Sequence, residues 1–197
     1  IAVFHQGIQW NRPLEKNIGD LVASEPKPKF RKGLDKVPGK LEPFWTQGFV
    51  YLNVDEKFRR RKAHFFPWDK PKVIVNRHII RRGPWRIVAY PDSAGLVCYQ
   101  NFIGIWPKAN INIEVLSALI NSPLANAALF SKGGKHDNRI RTLEQIPIPL
   151  TEMIDKKRIT CLAEYYKALR SNLKEETVEG SNIQDCSQTI MEIDSLI

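Results

Sequence analysis

The stretch KVIVNRHIIRRGPWRIVAYPDSAGLVCYQNFIGIWPK, Lys72 to Lys108, decides the fold. Lys72–Arg77 is β-branched and alternating. Trp85–Tyr90 follows a turn signal at Arg82-Gly83-Pro84, and Leu96–Trp106 follows a second one at Pro91-Asp92-Ser93-Ala94-Gly95. Each piece is too short, and too rich in Val, Ile, Tyr, Phe and Trp, to be a helix. The reading is three consecutive strands in an antiparallel meander with tight connections. Charge is concentrated in the first connection: Arg77, His78, Arg81, Arg82 and Arg86 crowd beside Trp85. Apolar strands with an arginine-rich loop describe a rigid scaffold that presents a binding segment.

Upstream, Ile1–Ile8 reads as an entry strand ended by Gly7. Asn11 to Lys40 is poor in apolar residues, carries Pro13, Pro26, Pro28 and Pro38, and holds six cations between Lys27 and Lys40. It reads as a long, partly irregular loop. Leu41–Asn53 returns to strand-like sequence and leads into Arg59-Arg60-Arg61-Lys62, flanked by Phe58, Phe65 and Phe66. Four consecutive cations between aromatics suit phosphate contact, with the rings anchoring the loop; a solvated turn over an aromatic core has the same composition.

Downstream the period changes from 2 to 3.6. Asn112–Leu119 begins an amphipathic helix, and Asn121-Ser122-Pro123 breaks it. Ser122 can cap, and Pro123 can occupy the first turn of a second helix through about Phe130. The loop Ser131–Arg141 that follows is basic through Lys132, Lys135, His136, Arg139 and Arg141. It lacks the GxxxxGK(S/T) spacing and follows a helix, so it is not a nucleotide cradle. It is either a second contact loop or a solvated linker. Ile146-Pro147-Ile148-Pro149 is extended and marks a boundary.

After that boundary Ile159, Leu162, Tyr166, Leu169 and Leu173 recur at spacings of three and four. Ile183, Cys186, Ile190, Ile193 and Ile197 repeat the pattern. The two stripes predict an antiparallel helical hairpin, compatible with each stripe packing on the body. The fold class is therefore α+β: a mostly antiparallel sheet body with packed helices over 1–150, then a helical hairpin over 151–197.

Bulk properties narrow the class. The 197 residues suffice for one good core, and no apolar run approaches the ~20 residues of a membrane helix. The chain opens at Ile1, so it reads as a piece of a longer polypeptide. Cys98, Cys161 and Cys186 are far apart, which points to a reducing, cytoplasmic setting. The formal net charge is +9, and the part after Thr151 carries about −3, so the body carries about +12. A basic body with an acidic tail points to a polyanion partner.

Catalytic signatures are missing from the sequence. His5, His64, His78 and His136 lie apart without metal-ligand spacing, and no nucleophile elbow or cofactor loop is present. Asp55-Glu56-Lys57 and Pro91-Asp92 match a nuclease only faintly; Asp55-Glu56 more simply closes a turn.

Several segments together resemble a known family. They are GIQWN (7–11), KPKVIVNRHIIRRGPWRIVAYPD (70–92), VCYQNFIGIWPK (97–108), EVLSALINSPLANAALF (114–130), RTLEQIPIPL (141–150) and EIDSLI (192–197). In this order they resemble the TaqI-like C-terminal target-recognition (specificity) domain of adenine amino-group (N6) DNA methyltransferases in restriction–modification systems. The resemblance implies a domain that grips double-stranded DNA while a separate domain of the same polypeptide flips and methylates the adenine. The methyltransferase tetrapeptide Asn/Asp-Pro-Pro-Tyr/Phe is absent, as is a cofactor region. No cofactor is expected in this chain, and S-adenosylmethionine belongs to the missing catalytic domain.

On this reading the chain is non-catalytic. Arg59, Arg60, Arg61 and Lys62, with Lys132, Lys135, His136, Arg139 and Arg141, sit on phosphates. Arg77, His78, Arg81, Arg82 and Arg86 reach base edges, since arginine can bond guanine twice in the major groove. Trp85 either stacks on DNA or anchors a strand, and Asn101 is structural. The alternative is a protein-interaction module acting through the hairpin.

Overall fold

A computed structural model describes residues 2–11, 18–35, 41–79, 86–108, 111–132, 137–147, 154–172 and 180–197. The strands are β1 (Ala2–Gln6), β2 (Val22–Ala23), β3 (Phe30–Leu34), β4 (Leu41–Glu42), β5 (Trp45–Thr46), β6 (Val50–Asn53), β7 (Lys72–Asn76), β8 (Ala89–Asp92), β9 (Val97–Cys98) and β10 (Phe102–Pro107). The helices are α1 (Ile113–Asn121), α2 (Pro123–Lys132), α3 (Ile140–Leu143), α4 (Lys156–Asn172) and α5 (Gly180–Ser195). Among the described residues they form one sheet of order β1-β10-β7-β8, a second of order β2-β6-β3-β9, and the small β4–β5 ribbon. All pairs are antiparallel except β3 with β9. The α+β expectation, with a helical pair at the C-terminal end, is met.

Strand β7 sits inside the first sheet, and all five of its residues are buried. Alternation explains this. Val73 and Val75 face a cluster with Ile103, Ile105, Ile113, Leu116, Ile120 and Leu143, so α1 to α3 cover that side. Ile74 points the other way, into a cluster with Phe102, Trp106, Leu34, Leu52 and Val97, which binds the two sheets together. A strand covered on both faces must read as continuously apolar, as KVIVN nearly does.

The 72–106 stretch is not a meander. Strands β8 and β10 flank β7 on opposite sides, and β9 leaves the sheet between them to lie parallel to β3. The exit is built by Asp92, whose carboxylate accepts from the Ala94 and Leu96 amides at 2.9 and 2.8 Å. Gly95 then takes φ of 77°, a left-handed conformation that favours glycine. The middle strand also starts later than expected, at Ala89. It accommodates Pro91 because β8 is the end strand of its sheet.

A second correction concerns residues 11–40. Within the expected loop, β3 (FRKGL) is an interior strand of the second sheet, paired with β6 and β9. Its polar composition hides it from pattern reading; cross-strand pairing overrides weak local propensity.

Helix α1 is buried on all sides. Ile113, Leu116 and Ile120 meet the first sheet, while Val115, Ala118 and Leu119 meet α4, α5 and the β4–β5 ribbon. Asn112 caps α1 through its side chain, accepting from the Glu114 amide at 2.7 Å. Ser122 accepts from the Ala125 amide at 3.2 Å, where α2 begins at Pro123 as expected. Arg158 at the start of α4 pairs with Glu192 near the end of α5, which makes the helical pair antiparallel. Ile159, Tyr166, Cys186 and Ile193 are buried together with Phe44 and Trp45, so the stripes serve both the seam and the body. Leu173 lies outside the described residues. Among the described residues no single helix is long and apolar enough to cross a membrane.

Burial pushes the Asp194 carboxyl from an ordinary 3.8 up to about 6. Its charged form is therefore disfavoured in the fold. Below about pH 4 the group is protonated in folded and unfolded chains alike and costs nothing. As pH rises towards 6 the unfolded chain ionises first and stability falls. Asp194→Asn is expected to melt above the native chain at pH 7 and level with it near pH 4. A pH-independent difference in melting midpoint would refute the assignment.

Candidate nucleic-acid interface

The chain leaves the first sheet at Asn76 and returns to it at Ala89. Residues 86–88 precede the β8 ladder, and their buried amides must be bonded. Asparagine side chains fill the role. Asn126 Oδ1 accepts from the Arg86 and Ile87 amides at 2.9 and 3.1 Å, and Asn76 Oδ1 accepts from Val88 at 2.7 Å. Asn121 exchanges two hydrogen bonds with Ala89, at 2.7 and 3.0 Å. The stem is closed by Asn76 Nδ2, which donates to the His78 and Arg86 carbonyls at 2.7 and 3.0 Å. Asn138 adds bonds to the Asn76 and Arg86 carbonyls at 3.1 and 3.3 Å. Asn76, Asn121, Asn126 and Asn138 are all at least 95% buried, so this polar network is rigid as well as satisfied.

On that frame stand Arg77 and His78. Arg77 pairs with Asp137 at 3.2 Å, and His78 Nδ1 lies 2.6 Å from the other oxygen of the same carboxylate. His78 Nε2 faces Asn101 Oδ1 at 3.2 Å, and the Asn101 carbonyl accepts from the Arg77 amide at 2.9 Å. The Asn138 amide donates to the Arg77 carbonyl at 2.6 Å and ties the 137–141 segment to the stem. The result is a shallow groove of about 340 Å³ with Ile103 in its floor, lined by Gln6, Arg77, Asn138, Arg139 and Arg141. Arginines from two segments remote in sequence, Arg77 on one side and Arg139 with Arg141 on the other, thus line one groove.

Arg86 behaves differently from the arginines it was grouped with. It is 5% exposed, its Nε donates to Asn138 Oδ1 at 3.2 Å, and its guanidinium lies 5.6 Å from the Phe130 ring. Burial lowers its pKa. Its position is in the stem, not at the open surface. Lys132 is exposed at the end of α2, and Arg81, Arg82, Trp85, Lys135 and His136 lie outside the described residues.

The Arg59–Lys62 run occupies a turn held against the segment after β1. The Arg60 amide donates to the Gln9 carbonyl at 2.9 Å and the Asn11 amide to Phe58 at 3.0 Å. Arg60, Arg61 and Lys62 are exposed. Gln6 in the groove and Gln9 beneath this turn are three residues apart, hence within about 11 Å along the chain. The short 6–9 segment thus links the groove to the basic turn. The rings divide: Phe58 and Phe66 pack on the core, while Phe65 is 60% exposed. Asp55 accepts from the Lys57 amide at 3.1 Å, closing the turn as expected, and Asp92 is fully buried against Lys72.

No protein-family model matches the chain, and no curated protein matches it in sequence. Solved structures do match in fold. A Type IIL restriction–modification enzyme, MmeI, in complex with DNA aligns over 100% of this chain and 32% of its own at TM-score 0.62 and 10% identity. The Type IIG restriction endonuclease BpuSI aligns over 99% of this chain and 30% of its own at TM-score 0.50 and 11% identity. The chain has the fold of one segment of these enzymes and spans about a third of their length.

Sequence reasoning missed Gln6, Asn76, Asn126 and Asn138. A signal existed for two: Asn76 ends an otherwise apolar strand, and Asn126 stands in an apolar helix, where asparagine is a poor choice unless bonded.

Proposed function

We propose that this chain is a DNA target-recognition domain, of the kind that gives sequence specificity to an adenine-specific DNA methyltransferase or a fused restriction–modification enzyme. The observation that carries the reading is the convergence of Arg77, Arg139 and Arg141 on one groove of an asparagine-locked frame. Guanidinium groups suit bidentate contact to guanine edges or phosphates, and that of Arg77 is oriented by Asp137. Arg60, Arg61 and Lys62 supply phosphate contacts beside them, and Arg81, Arg82, Lys132, Lys135 and His136 are assigned the same partner. Arg86 supports the stem. Catalysis, and the binding of S-adenosylmethionine, belong to other parts of a longer polypeptide, a division supported by the one-third share of the matched enzymes. A cytoplasmic setting goes with a DNA partner.

The test is duplex binding as a function of salt. Each lost phosphate contact lowers the dependence of log K on log salt by about 0.9. Arg60→Ala with Arg61→Ala is expected to weaken all duplexes alike and to flatten that slope by nearly two. Arg77→Ala is expected to cost about 1–3 kcal/mol on a site enriched from random duplexes, with little loss elsewhere. Absence of any salt-dependent binding would end the proposal. The competing reading, an assembly module, draws on Tyr165 and Met191, which are 50% and 64% exposed on the helical pair. Binding of a protein partner that survives every arginine substitution would favour it.

A further inference from the structure

We infer that Phe65 is an aromatic wedge that enters a base step of bound DNA, an inference that rests on the DNA-binding reading. Phe65 stands in a 3₁₀ turn, Lys62–Phe65, immediately after the run of four cations. Its neighbours Phe58 and Phe66 pack on the core; Phe65 does not, and 60% of its surface is open. Most of the Phe65 ring is thus available to a partner. The charges around it say which kind of partner fits. Arg59 lies over the ring with its guanidinium carbon 4.1 Å from the centroid, and Arg60, Arg61 and Lys62 are exposed next to it. A protein surface docking here would have to bury or neutralise those cations. A nucleic acid neutralises them with phosphates and offers base faces to the ring.

The turn is also well braced for such a load. Trp68 donates its indole N–H to the Ala63 carbonyl at 2.8 Å, and the Phe66 ring lies 5.8 Å from Trp106 and 3.6 Å from His5. Among the described residues, the buried Arg59 Nη1 and Gln9 Oε1 have no hydrogen-bond partner. A wedge costs unstacking energy, which a mismatched step reduces.

The experiment uses the whole chain with two 20-base-pair duplexes, one fully paired and one with a central mismatch flanked by 2-aminopurine. The native chain is expected to prefer the mismatched duplex and to raise 2-aminopurine fluorescence. Phe65→Ala is expected to lose on the order of tenfold in affinity and the mismatch preference, with the salt slope unchanged. Phe65→Trp should retain both properties, and Phe65→Leu, which keeps apolar bulk, guards against a folding artefact. If the native chain binds both duplexes equally and Phe65→Ala matches it, the wedge is refuted while the DNA reading stands. A slope that falls together with affinity would make the ring a mere prop for Arg59 to Arg61, which also refutes it. Self-association that Phe65→Ala abolishes would overturn it in favour of a protein contact. If the native chain binds neither duplex, both readings fall.

Discussion

Asp92→Ala is expected to destabilise the chain by about 3–5 kcal/mol, the cost of stranding a buried charge. The carboxylate of Asp92 and the ammonium of Lys72 have no exposed side-chain surface and are directly paired. They stand opposite each other in the β7–β8 register, so the pair is held by the sheet itself. Lys72 Nζ also donates to the Trp68 carbonyl at 2.7 Å. Removing Asp92 leaves that ammonium in a dry site and unbonds the Ala94 and Leu96 amides as well. A drop in melting midpoint on the order of 10 °C follows for a chain of this size. Replacing both partners with apolar residues should recover much of the loss, because no charge is then left behind. A double variant no better than Asp92→Ala would show that the turn bonds, not the ion pair, dominate.

Gly33→Val should be comparably damaging, for a steric reason. A Cβ at Gly33 would lie 2.0 Å from the Val97 carbonyl oxygen and 2.9 Å from its carbon. Those atoms are backbone and cannot swing aside. Gly33 stands between β6 and β9 in the interior of the second sheet, so the substitution must part β3 from β9. That opens the joint between the sheets, where Val97 and Cys98 are fully buried. Several kcal/mol are at stake, as for other overpacked sites. Chemical denaturation reads the loss directly, and Cys98 offers a second readout. Burial pushes its thiol far above the ordinary range. In the native chain it should resist alkylation, and in Gly33→Val it should react. A Gly33→Val chain of native stability, with Cys98 still shielded, would contradict the packing described.

What sequence revealed follows from which interactions are local. The α1–α2 break was legible because Ser122 and Pro123 act within one turn. The helical pair was legible because its stripes repeat every three or four residues. The strand order was not, since nothing local distinguishes a chain that returns beside β8 from one that returns beside β7. The exit through Asp92 and Gly95 reads as an ordinary turn in either case. β3 was hidden because its partners, β6 and β9, are distant in sequence and supply what FRKGL lacks. Among the basic residues, charge alone grouped Arg86 with Arg77, and only the fold separates the buried one from the half-buried one. The groove was hidden because Gln6, Arg77 and Arg139 come from three separate segments.

The asparagine frame is blind to the side chains it holds. Except for the Nε of Arg86, the bonds that close the stem end on main-chain atoms of residues 76–78 and 86–89. Main-chain atoms are the same whatever side chain a position carries, proline aside. Arg77, which lines the groove, and His78 beside it can therefore change identity without unbonding the frame.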